Sequence, residues 1–143
     1  MRVLLLHGPN LNLLGTRQPE IYGSLTLGEL EDRCRRWGTE MGIGLDTFQS
    51  NHEGALIDRI HAAIGHYDAV IVNPGALSHY SYALHDAITS AALPTIEVHL
   101  SDITAREPWR AHSLVSAACV ATIIGEGPDG YRRALATLAA GTG

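Results

Sequence analysis

This sequence predicts an α/β fold, a parallel sheet with helices on both faces, and three observations predict it. Short apolar runs of strand type alternate with helical patterns along the whole chain, with brief connections apart from two loops. One run, Ala69 to Val72, is apolar at every position, as in a strand buried on both sides. Finally, 143 residues with 45% apolar side chains suffice for one core and not for two, so residues 1–143 are read as a single domain. Right-handed crossovers then favour a single-domain, flavodoxin-like, five-stranded parallel sheet of order 2-1-3-4-5.

The elements follow in order. Val3 to Leu6 is the first strand. Thr26 and Glu29 have capping-box spacing, and Leu27, Leu30, Cys34, Trp37 and Met41 recur at helical intervals. A helix is therefore expected from about Thr26 to Met41, stopped by Gly42. Leu45, Thr47 and Gln49 mark the second strand. Ser50 and Glu53 repeat the capping-box spacing ahead of Leu56, Ile57, Ile60, Ala63 and Ile64, which predicts a helix over about Asn51 to Ile64. The Ala69 strand ends at Asn73-Pro74-Gly75, a sharp turn. A third helix is expected from about Ser81 to Ala92, with Pro94 beyond it. Thr95 to His99 and Val120 to Ile124 are the last strands. Pro128 opens a final helix reaching about Ala139, and 141–143 are expected to be a flexible tail.

Composition removes several classes of function. The net charge of −5 and scattered arginines argue against a nucleic-acid face; Arg33, Arg35 and Arg36 read as a solvated helix face. The longest weakly polar run, Leu114 to Ile124, is too short to span a membrane. Cys34 and Cys119 lack CxxC spacing and read as small buried side chains; with no signal peptide pattern, a cytoplasmic location is expected. No lysine occurs: all 10 basic residues counted as Lys plus Arg are arginine, which closes any route through a lysine Schiff base.

The stretch Gly8 to Gly23, GPNLNLLGTRQPEIYG, follows the first strand, at the strand ends where ligands bind in open α/β sheets. It brings Asn10, Arg17 and Tyr22 to the rim. The third strand's loop brings Asn73, Ser78 and His79, and the fourth brings His99 and Ser101. A dinucleotide fingerprint is absent, since Pro9 removes an amide a phosphate would use, and a P-loop lysine is missing. Glu97 and His99 supply two ligands, too few for a metal site. Acid–base chemistry on a small polar molecule remains. Glu97 and His99 lie two apart on a strand, so the carboxylate can orient the imidazole for proton donation. Using Tyr22 as a base from an ordinary phenol pKa of about 10 costs about 4 kcal/mol near neutrality. Arg17 at about 4 Å offers a similar gross attraction, which makes closure of the loop over substrate part of the expectation. The prolines, glycines and catalytic duty of the Gly15 to Gly23 segment predict a mobile lid. A flavin- or nucleotide-holding module, for which the phosphate loop is missing, and an inactive subunit that assembles with a partner are the alternatives.

The pattern resembles the type II 3-dehydroquinate dehydratases. GPNLNLLGTRQPEIYG, NPGALSHYSYAL, and IEVHLSD with the following AREPWRAHS match three motifs of that family in order, and the resemblance covers the whole chain. It implies reversible anti dehydration of 3-dehydroquinate to 3-dehydroshikimate through an enolate, without metal, Schiff base or cofactor, serving aromatic biosynthesis or quinate breakdown alike. Carried over by motif, Tyr22 is the base, Arg17 activates it, and Asn10 holds a water against the enolate oxygen. His99 is the acid and Glu97 orients it. Asn73, Ser101 and the amides of Leu100 and Ser101 hold the substrate carboxylate, and His79 and Arg110 its ring hydroxyls. Asp86 comes from a neighbouring subunit of a homo-dodecamer, a tetramer of trimers. Departures from the commoner pattern at His85, Asp102, Thr104, Pro108 and Trp109 fall outside the residues assigned to chemistry.

Overall fold

The structure, a computed structural model, describes residues 1–16, 20 and 24–141. Its strands are β1 (Arg2–His7), β2 (Gly44–Gln49), β3 (Ala69–Asn73), β4 (Thr95–His99) and β5 (Ala121–Ile124), and its helices are α1 (Leu27–Glu40), α2 (Glu53–Ala63), α3 (Tyr82–Ala91) and α4 (Asp129–Gly141). The strands form one parallel sheet in the order β2-β1-β3-β4-β5, as the alternation predicted.

Alternating side chains divide the core into two layers. Val3, Leu5, Ile71, Ile96 and Val98 face α1 and α4, meeting Leu30, Cys34, Tyr131 and Leu135. Leu4, Leu6, Val70 and Val72 face α2 and α3, meeting Leu56, Ile60, Leu84 and Ile88. β3 is buried at every position, which explains its uninterrupted apolar run. Each fully buried Leu, Ile or Val contributes on the order of 1.5–3 kcal/mol, so these layers hold the sheet edge in place.

At the start of α1 the expected capping box is formed: Thr26 Oγ1 accepts from Glu29 N at 3.2 Å, and the Glu29 carboxylate accepts from Thr26 N at 3.3 Å. The second capping box is not. α2 begins at Glu53, not Asn51; Ser50 Oγ accepts from His52 N at 2.9 Å, and Glu53 instead accepts from the Ser81 hydroxyl at 2.5 Å. A tertiary partner outcompetes the local one. Ser81 also caps α3, accepting from Leu84 N at 2.9 Å, so Glu53 ties together the starts of two helices. α4 continues to Gly141, inside the stretch expected as a tail; Thr142 and Gly143 lie outside the described residues. Cys34 is buried as expected, while Cys119 is half-buried.

Candidate active site

The loops after β1 and β3 are locked together at the backbone. Gly8 N donates to Asn73 O at 2.7 Å. A Cβ on Gly8 would lie 2.5 Å from Pro74 O, so glycine is required there. Asn10 has a left-handed backbone, φ 71°, a conformation Asn tolerates; its amide donates to Asn51 Oδ1 at 2.9 Å, and Gln49 Nε2 donates to the same oxygen at 3.1 Å. The end of β2 thus fixes the first loop.

Beside this junction, at the carboxyl ends of β1, β3 and β4, is an open cleft. It is lined by Asn10, Asn73, His79, His99, Ser101 and Arg110, together with Leu100 and apolar neighbours. The rim residues expected from the sequence therefore converge, with exceptions. Ser78 is fully buried and turns inward, its hydroxyl donating to Gly75 O at 3.0 Å. Asp86 does not line this chain's cleft; it is exposed on α3, 3.2 Å from His85 Nδ1. Arg17 and Tyr22 lie outside the described residues.

Both cleft histidines have one ring nitrogen assigned by its partner. His99 Nε2 hydrogen-bonds the Glu97 carboxylate; a carboxylate accepts, so this nitrogen carries the hydrogen and Nδ1 remains for a ligand. Glu97 is 0% exposed behind His99, and Ser113 Oγ donates to it, 2.9 Å from each oxygen. Ser113 in turn accepts from Ser116 N at 3.1 Å. A buried carboxylate needs such partners. His79 Nδ1 donates to His112 O at 2.6 Å, which leaves Nε2 as an acceptor suited to a hydroxyl. The Trp109 ring meets His79 edge-on, with centroids 5.3 Å apart, and the Arg110 guanidinium covers Trp109 at 4.0 Å. Arg110 Nε donates to Glu107 at 2.5 Å, and Arg110 also lines the cleft. The Glu107 carboxyl is held below its usual range by its own backbone amide first and by Arg110 next.

Asn73 is engaged on three sides. Its carbonyl takes the Gly8 amide, Oδ1 takes Gly75 N at 3.1 Å, and Nδ2 donates to Tyr131 Oη at 3.1 Å. The sequence reading missed Ser113, Tyr131 and Arg106, which also lines the cleft. Ser113 lies within a recognised motif, but no spacing rule links it to Glu97. Among the described residues, no group of three or more His, Cys, Asp or Glu side chains could hold a metal ion, and no helix is long and apolar enough to cross a membrane.

The arrangement offers an imidazole backed by a buried carboxylate with one ring nitrogen free, a second imidazole whose free nitrogen suits a hydroxyl, and amide donors for an anion. The chain is similar to known proteins over most of its length. The family described as Dehydroquinase class II matches residues 1–139. A 3-dehydroquinate dehydratase of Bacillus cytotoxicus is 52% identical over 137 residues, covering 96% of this chain and 94% of that protein. Catabolic 3-dehydroquinase 1 of Neosartorya fischeri is 52% identical over 133 residues, 93% of this chain and 89% of that protein. The crystal structure of type II dehydroquinase from Propionibacterium acnes matches with a TM-score of 0.94 at 43% identity, over 97% of this chain and 96% of that one.

Proposed function

We propose that this chain, which belongs to the class II dehydroquinase family, dehydrates 3-dehydroquinate to 3-dehydroshikimate by anti elimination through an enolate. Tyr22, as tyrosinate stabilised by Arg17, takes the proton beside the ketone, and the electron pair moves onto the carbonyl oxygen, where Asn10 holds a water. The enolate then collapses and expels the ring hydroxyl, which His99, acting as the imidazolium with Nε2–H on Glu97, protonates from Nδ1 so that it leaves as water and the ring is left neutral. Glu97 orients the imidazole throughout. Asn73, Ser101 and the amides of Leu100 and Ser101 bind the substrate carboxylate, while His79 and Arg110 bind ring hydroxyls. Asp86 enters from a neighbouring subunit of a dodecamer, and the enzyme is cytoplasmic. The reaction needs neither metal nor Schiff base, and the absence of lysine agrees with the second point.

The observation that carries this reading is the Ser113–Glu97–His99 chain ending at the cleft. Its orientation leaves one imidazole nitrogen for a departing group. Asp86 is exposed on the helix surface, as a residue lent to another subunit must be.

The test follows the ultraviolet absorbance of the conjugated enone formed from 3-dehydroquinate, using EDTA-treated protein with and without borohydride. Turnover unaffected by either reagent is expected, with Tyr22→Phe and Arg17→Ala each slower by about 10²–10⁴. No turnover by the folded chain overturns the reading, and near-normal turnover in either variant removes Tyr22 and Arg17 from the mechanism.

A further inference from the structure

Tyr131 is the largest side chain buried almost completely in the core, at 1% exposure, and the proposed chemistry does not use it. It comes from α4, beneath the sheet, and its hydroxyl ends against Asn73 at the mouth of β3. Burial pushes the phenol's pKa up, so the hydroxyl keeps its proton and meets Asn73 as a neutral group. Beside it lies His7, also fully buried, with ring centroids 6.4 Å apart. His7 is the register partner of Asn73 in the sheet. Neither His7 nitrogen makes a well-formed hydrogen bond among the described residues, although Nε2 lies 3.3 Å from the Glu31 carboxylate, whose pKa is lowered chiefly by His7. The underside of Asn73 is therefore a polar pocket inside an apolar layer.

A side-chain amide has two donors and one acceptor oxygen. In Asn73 the oxygen is occupied by the Gly75 amide and one N–H by Tyr131. The second N–H is its remaining side-chain donor, and Asn73 lines the cleft. We infer that Tyr131 is a positioning residue for Asn73: its hydroxyl holds the carboxamide so that the free N–H meets the substrate carboxylate. This rests on the reading of Asn73 as a carboxylate ligand. Without the hydroxyl the inner N–H loses its buried acceptor and only the Gly75 amide still orients the carboxamide, so the donor aimed at the cleft is less firmly held. An interaction made equally by bound substrate and transition state appears in KM more than in kcat.

Tyr131→Phe removes one oxygen and keeps the ring. It is expected to raise KM about tenfold with kcat changed by less than about threefold, and with a melting transition as cooperative as that of the wild type. Tyr131→Met, which fills the site without a hydroxyl, gives a second reading of the same loss. Asn73→Ala raises KM by at least as much, and adding Tyr131→Phe to it changes KM no further, because the hydroxyl acts through the amide. If Asn73→Ala raises KM while Tyr131→Phe and Tyr131→Met do not, or if the two losses multiply in the double variant, the positioning role is overturned. If Asn73→Ala leaves KM unchanged, the carboxylate reading fails and the inference falls with it.

Discussion

Replacing Ser113 by alanine removes the hydroxyl that donates into a carboxylate with no exposed surface, 2.9 Å from each of its oxygens. The described partners of that carboxylate are Ser113 and His99. A hydrogen bond to a buried charge contributes about 1.5–3 kcal/mol, and an acceptor left unmet keeps its desolvation cost, so Ser113→Ala is expected to destabilise the fold by about 2 kcal/mol. At about 2.1 cal/mol/K of unfolding entropy per residue, a chain of 143 residues has about 0.3 kcal/mol/K, which converts this loss to a fall in Tm of about 7 °C. The same carboxylate aims His99, so kcat should fall about tenfold or more, the equivalent of about 1.4 kcal/mol at the transition state. Differential scanning calorimetry and steady-state turnover read the two effects. Glu97→Gln supplies the control: with the negative charge removed, adding Ser113→Ala should cost less than about 0.5 kcal/mol, a coupling that a double-mutant cycle isolates. A Tm within about 1 °C of wild type with unchanged kcat, or an equal cost of Ser113→Ala in both backgrounds, would refute the argument.

Glycine positions separate close approach from backbone freedom. Gly8→Ala places a Cβ 2.5 Å from the Pro74 carbonyl, where no flexible side chain can yield, and should cost about 1–3 kcal/mol or more while raising KM by shifting Asn10. Gly28→Ala, in the exposed face of α1 with nothing within 4 Å of the new Cβ, should instead raise stability by about 1 kcal/mol; denaturant midpoints read both, and a neutral Gly8→Ala would count against the loop junction. The thiols give a pH dependence of known sign. Burial raises Cys34 and Cys119 from 9.0 to about 12, so the folded state binds protons that the unfolded state has lost. This contribution is fully present below pH 9 and is lost as pH rises toward 12. Unfolding midpoints should fall over that window, and native Cys34 should resist a thiol reagent at about pH 8 until denaturant is added. Labelling of native Cys34 at the unfolded rate would contradict its burial.

The strands and their order were legible because they follow from periodicity: apolar alternation places residues on faces, and a parallel sheet brings strand ends to one edge. Asn10, Asn73, His79, His99 and Ser101 were found at the cleft by that rule alone. Local spacing failed where a distant partner intervened. Thr26 and Glu29 cap a helix, but Ser50 and Glu53, at the same spacing, do not, because Ser81 claims Glu53 from 28 residues away. Ser78 illustrates a different limit: a rim position in sequence says nothing about which way a turn rotates its side chain, and here it faces inward to Gly75. Ser113 and Tyr131 act through residues 16 and 58 positions away, separations over which no helical or strand period carries information.

The two ends of the proposed chemistry are anchored in different cores. Val72 and Glu97 are paired in register, so Glu97 and, two residues on, His99 stand on the face toward α2 and α3. Asn73 follows Val72 and therefore points to the other face, where Tyr131 of α4 meets it. Within the sheet these side chains would be separated by the backbone; they can reach one cleft because they stand at the carboxyl ends, where the strands stop covering them. On the proposed chemistry, Ser113 supports the acid from one layer while Tyr131 supports the anion grip from the other. Both groups would act on the same substrate, so the coupling between the two supports is what a double-mutant cycle of Ser113→Ala with Tyr131→Phe measures. The sheet edge thus gives the proposed acid and the proposed anion grip separate supports, one from each core layer.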